Sequence, residues 1–294
     1  AGRHAEHDAT ERNTMKYFPL LLIGPIAVFA GDPDFDSYWH DGTAELDGYR
    51  MTISRYGQPR HAQGVAIYVT EPFSESKRVK VDDPSQNPSN VVDVLKLNLV
   101  RDFQTGIYDY NTMVSVFVRA SDFSPLKVTF SSAEWCGHVF EELLFHPGKI
   151  TGFYNSYFEG ETGARDLAWP KDGITEDSLW ILLRGLRGDF LKPGEKKSVP
   201  FLPGVYFSRL AHKPLAWTTA EISLDGNVYT VKAADSRTGK FTIEEAYPHR
   251  ISRWEMLPDL SAELTGTLRV QYWKLHNNGD ESYLKQLGIK PTVE

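Results

Sequence analysis

The chain predicts a mainly β fold: a curved antiparallel sheet or open barrel, wrapped around one buried helix, with a short C-terminal helix. Three observations carry this expectation. Residues 97–145 are dense in Val, Phe, Tyr, Thr and Leu, and their charges alternate with apolar residues, which is the period of a pleated, half-buried surface. Asp225-Gly226 stands between the alternating runs 220–224 and 227–231, a strong hairpin signal because Gly tolerates positive φ. Residues 175–187 hold a dense apolar block, Leu179, Trp180, Ile181, Leu182, Leu183 and Leu186, and a helix apolar on most sides has to be buried.

Each element follows in order. Lys16, the apolar block 20–29, and Val28 and Ala30 at the −3 and −1 positions make an export signal, with Gly31 as the first mature residue. Residues 1–30 are then upstream residues plus signal peptide, and 31–294 a single β-rich domain. The apolar run is short and broken by Pro19 and Pro25, so no stable transmembrane span is expected after cleavage. Residues 32–42 are rich in turn formers and cap the domain. Residues 44–54 and 65–70 read as strands joined by a loop at 56–60, and 82–90 as a polar loop. Three or four strands fill 97–145, and 157–173 is loop-like. Thr175 serves as N-cap of the helix, Glu176 and Asp177 suit its positive end, and Gly188 closes it. After the proline-rich link 192–203 come the Asp-Gly hairpin, an antiparallel pair at 241–245 and 249–254, a strand at 264–273, and a helix at 280–287 ending at Gly288.

Composition narrows the function classes. A net charge of −7 on 294 residues, with pI ≈ 5.8, argues against nucleic acid, whose phosphates require a basic face. The longest basic cluster, Lys77-Arg78-Val79-Lys80, reads as a solvated strand end. One Cys allows no intramolecular disulfide, so the core must supply stability. The export signal places the chain in the periplasm or cell envelope of a bacterium.

Two stretches carry candidate chemistry. In one strand, Glu134, Cys136 and His138 would project from the same face, giving a nucleophile set or three metal ligands for a hydrolase or metal-dependent enzyme. The plainer reading is a Cys136 buried as a small hydrophobe, with Gly137 marking a bulge. Phe130, Trp135, Val139 and Phe140 around it favour that reading, so neither metal nor cofactor is expected. His249, Arg250, Arg253 and Trp254 set cations beside aromatics and could hold an anionic headgroup, or could be side chains lying over a strand surface. Binding of a lipid or other amphiphile in a sheet–helix cavity is the favoured function, and catalysis on the Glu134 face the alternative.

Arg55-Tyr56-Gly57 and the run from Thr175-Glu176-Asp177-Ser178-Leu179 to Leu183-Arg184 resemble motifs of bacterial secreted proteins grouped as a domain of unknown function. The resemblance spans about 46–273. It implies a curved antiparallel sheet around a helix, similar to the periplasmic lipoprotein carriers, and brings no catalytic residue.

Overall fold

The computed structural model describes residues 33–291, so the expected signal at 15–30 lies outside the described residues. The fold is mainly β, with 54% of the described residues in strands. Eight strands form a first meander: β1 Ala44–Arg55, β2 Gln58–Ser74, β3 Val91–Thr105, β4 Tyr108–Arg119, β5 Pro125–Glu134, β6 Gly137–His146, β7 Lys149–Ser156 and β8 Gly163–Ala168. A second set follows: β9 Ile174–Thr175, β10 Lys196–Leu202, β11 Thr218–Asp225, β12 Val228–Ala233, β13 Thr238–Ile243, β14 Ile251–Leu257 and β15 Leu260–Val270. All belong to one open 15-stranded sheet in the order β8-β7-β6-β5-β4-β3-β2-β1-β15-β14-β13-β12-β11-β10-β9. Every neighbouring pair is antiparallel except β9 with β10.

The two meanders meet at β1 and β15, where Ala44 pairs with Val270 and Ile53 with Leu260. β1 is buried on both faces over its first half. Tyr49, Met51 and Ile53 enter the main core, whereas Ala44 and Leu46 join a smaller cluster with Val69, Leu287 and Ile289. The C-terminal segment covers that second face through two glycines. A Cβ on Gly48 would lie 2.1 Å from the Leu287 carbonyl oxygen, and one on Gly266 2.0 Å from that of Gln286, so only glycine admits the backbone there.

Several expectations need correction. The helix expected over 175–187 is a 3₁₀ turn at Glu176–Ser178 followed by one α-helical turn, Leu179–Leu182. Thr175 does cap it, its hydroxyl accepting from the Ser178 N–H at 3.3 Å. The helix ends early because Gly185 already turns left-handed at φ +59°, three residues before Gly188. Among the described residues two α-helices lie outside the single expected one: α1 Pro33–Trp39 and, after α2 Leu179–Leu182, α3 Val205–Leu210. The C-terminal segment expected as a short helix is a 3₁₀ helix, Asp280–Leu287. Three residues per turn stack Leu284 over Leu287, which suits a segment laid flat on the sheet.

The loops are tighter than expected too. Only Tyr56 and Gly57 separate β1 from β2, and the loop-like stretch 157–173 contains β8. Arg78 of the basic cluster is buried rather than solvated, donating to the Phe145 carbonyl at 2.9 Å.

Candidate functional site

The site begins at the β1–β2 hairpin. Tyr56 and Gly57 both have positive φ, +55° and +70°, which is the type I′ geometry that matches strand twist. A tyrosine in the left-handed region costs roughly 1–2 kcal/mol, so its neighbours have to hold it there. The Tyr56 hydroxyl lies 2.8 Å from that of Tyr110 and accepts from Tyr108 at 3.2 Å, and the Arg55 guanidinium stands 4.8 Å from its ring centre.

Opposite the hairpin stands α3, fixed by charge at both ends. Its N-terminal N–H groups meet carboxylates of the 176–178 turn: Gly204 donates to Glu176 at 2.8 Å and Val205 to Asp177 at 3.0 Å. Acidic groups at a helix start satisfy orphan donors and complement the dipole. Toward the other end, Arg209 pairs with Glu141 at 3.0 Å and Glu161 at 3.5 Å, while Arg165 shares Glu141 at 2.7 Å.

Between hairpin, α3 and the β14–β15 turn lies a cavity of about 320 Å³. Ile53, Phe207, Leu210 and Leu260 give its apolar walls, and Arg55, Tyr56, Tyr206 and Asp259 its polar groups. Arg55 spends Nη1 on the Leu210 carbonyl at 3.1 Å, while its Nε has no partner among the described residues. Tyr206 is 3% exposed and its hydroxyl also lacks a partner. Burial pushes the Tyr206 phenol up, against the pull of Arg101 and Arg55.

Arg101, on β3, stands behind this wall. It is 2% exposed, its Nε and Nη1 have no hydrogen-bond partner, and it forms no ion pair among the described residues. Its guanidinium lies 4.3 Å from the Tyr206 ring centre and 5.6 Å from that of Trp254. Burial holds its pKa below the usual arginine range, with Tyr206, Asp177 and Glu176 opposing. Arg101 and Trp254 are separated in the sheet by β2, β1 and β15; four flat inter-strand steps would put them roughly 19 Å apart.

The residues singled out from the sequence scatter. Glu134 ends β5, Trp135 and Cys136 form the turn, and Gly137 starts β6. Glu134, Cys136 and His138 therefore do not lie on one strand face, which corrects that expectation. Glu134 turns toward the site: the Tyr110 phenol is pushed up by burial first and by the Glu134 carboxyl second. Cys136 is exposed at the turn, contrary to its expected burial, because the apolar neighbours flank a hairpin rather than extend a strand. His138 is exposed across from Ala133. Among the described residues no three His, Cys, Asp or Glu side chains cluster as metal ligands.

The second set divides as well. Trp254 is fully buried, edge-on to Trp180 at 5.0 Å. Arg253 is exposed beside Glu255. Arg250 reaches Glu244 at 3.2 Å and Glu45 at 3.5 Å, and His249 sits 3.2 Å from the Glu244 carbonyl. They form no common headgroup site.

Sequence reasoning passed over Arg101 and Tyr206. Arg101 carried a signal: it falls in phase with Leu97, Leu99 and Phe103, a cation in the buried register of a strand. Tyr206, on a six-residue helix, carried none.

No known protein-family profile matches the chain, and no curated protein matches it. Among solved structures it is similar to a β-barrel-like protein of the domain of unknown function DUF1849 from Brucella abortus, at 10% identity and TM-score 0.45, over 78% of this chain and 98% of that one. It is also similar to a DUF1089 family protein from Pseudomonas aeruginosa, at 12% identity and TM-score 0.35, over 51% of this chain and 79% of that one.

Proposed function

We propose that this is an exported cell-envelope protein whose sheet bends around α2 and α3 and binds a small amphiphile with an anionic head. The cavity beside Tyr206 is the observation that carries this reading. Its volume of about 320 Å³ sits at the low end of small-molecule sites, and it joins apolar walls to a few convergent polar groups, as such sites do. The free Tyr206 hydroxyl and Arg55 Nε are donors waiting for an acceptor, and a buried donor without one costs free energy. A carboxylate or phosphate head would supply it, with the apolar tail against Ile53, Phe207 and Leu260. The short Arg101–Trp254 approach supports a bent sheet, and the pattern of residues 15–30 supports export.

Calorimetric titration with a medium-chain fatty acid tests the proposal. Wild-type protein binds. Tyr206→Phe and Arg55→Met each weaken binding about tenfold, equivalent to about 1.4 kcal/mol, and Leu210→Trp fills the cavity and abolishes it. If no amphiphile binds, and native mass spectrometry of protein purified from its own envelope shows none retained, the reading fails.

A further inference from the structure

Because the strands run up and down, alternate hairpin turns fall at the same end of the sheet. The β1–β2, β3–β4, β5–β6 and β7–β8 turns share one end, and the register of Ile53 with Leu260 puts the β14–β15 turn there too. The first four turns each present a large apolar side chain to solvent, Tyr56 at 60% exposure, Ile107 at 77%, Trp135 at 68% and Tyr157 at 66%, and Leu257 at 38% ends β14 beside the fifth, while the β12–β13 turn at the same end carries none. The first four are the most exposed large hydrophobics among the described residues. Neighbouring tips touch: Tyr108 donates to Tyr56 and lies 6.4 Å from Trp135, and the Tyr157 ring lies against Gly137.

We propose that this end of the molecule docks on the surface of a zwitterionic lipid bilayer. Although neighbouring tips touch, the apolar side chains come from different turns, and each can enter a deformable interface without the matched surface that a protein partner would need. Trp and Tyr are the side chains that settle at the membrane–water boundary, and Ile and Leu enter the acyl region beneath. The exposed charges among and beside the tips are of both signs, Asp109, Glu159 and Asp259 against Lys213, so the end has no strong basic field for anionic lipid. The docking does not depend on the cavity being filled, although Tyr56 and Gly57 belong to both.

Cys136, the one cysteine of the chain, stands exposed among the tips and accepts a polarity-sensitive fluorophore. The experiment mixes labelled full-length protein with phosphatidylcholine–phosphatidylethanolamine vesicles and reads flotation together with emission. Wild type should float with the vesicles, and its emission should shift to the blue. Trp135→Ser combined with Ile107→Ser should lower the bound fraction about tenfold, since binding scales with buried apolar area. Trp273→Ser, an equally simple loss of an exposed tryptophan after the far end of β15, should change nothing, and fatty-acid titration of the double variant should stay that of wild type. Absence of flotation overturns the proposal. So does flotation that survives the double substitution, as the apolar residues 20–29 alone would give, or a tip-dependent dimer in sedimentation without vesicle binding.

Discussion

Arg184 Nη2 donates to Glu45 Oε1 at 2.7 Å, and neither side chain has any exposure to solvent. The same guanidinium donates to the Pro248 carbonyl at 2.8 Å and lies 4.4 Å from the Tyr68 ring centre, while Glu45 also accepts from Tyr38 at 2.5 Å. The pair thus ties the turn after α2 to β1 and to the start of β14. Glu45→Gln leaves a buried cation underpaired and should lower the unfolding free energy by about 3–5 kcal/mol. Glu45→Leu combined with Arg184→Met should recover much of the loss. Denaturant titration of the three proteins checks both expectations.

Next to Glu45, on the same face of β1, Asp47 is pushed up to about 7, by burial first and by the Glu45 charge second. Asp177 is likewise pushed up to about 7 by burial, against the Val205 N–H. Both carboxyls keep in the folded chain a proton that the unfolded chain loses near pH 4. Between about pH 4 and 7 the unfolded state therefore binds fewer protons, so stability falls as pH rises through that window and levels off above it. Asp47→Asn should flatten part of this slope in unfolding measured across pH. An unchanged slope would show that Asp47 does not titrate there.

Among the described residues Arg101 has no carboxylate partner to offset its burial. Arg101→Met keeps the volume and removes an uncompensated charge, and should raise the unfolding free energy by about 1 kcal/mol or more. The same variant should bind a fatty acid less well, because the positive field behind Tyr206 is gone. Greater stability with weaker binding is the mark of a group kept for function; lower stability would make Arg101 a structural residue.

Cys136 stands exposed in a two-residue turn. It should react with a thiol reagent as fast in native protein as in denaturant, and Cys136→Ser should leave the melting temperature within about 2 °C of wild type, as surface substitutions do. A large gain in rate on unfolding would place the thiol in the core.

The strands were legible because period two is written into them: Leu95, Leu97 and Leu99 face one way and Lys96 and Asn98 the other. The Asp225-Gly226 hairpin followed from glycine, and the register pairs Asp225 with Val228. Helix length was misread, because two glycines follow the apolar block and the first, Gly185, rather than Gly188 turns the chain away. The site was hidden for a different reason. Its groups come from β1, β3, β4, β5, α3, the β14–β15 turn and β15, up to 207 positions apart in the case of Ile53 and Leu260 (260 − 53), and their convergence depends on which strands the sheet sets side by side. Glu134 was reached from its own residue type, but its companions were sought along the strand when they stand across the sheet.

The seam between β1 and β15 has a consequence for synthesis. Ala44 pairs with Val270, 226 positions later (270 − 44), so a ribosome adding ~5–20 residues per second leaves β1 waiting on the order of tens of seconds for that neighbour. Through that interval its free edge is a template for the wrong strand. Inward-pointing charge is one way natural sheets blunt such an edge, and Glu45 and Asp47 sit on that strand. Glu45 and Asp47, buried in the finished core, would oppose the pairing of that free edge with an apolar strand before β15 arrives.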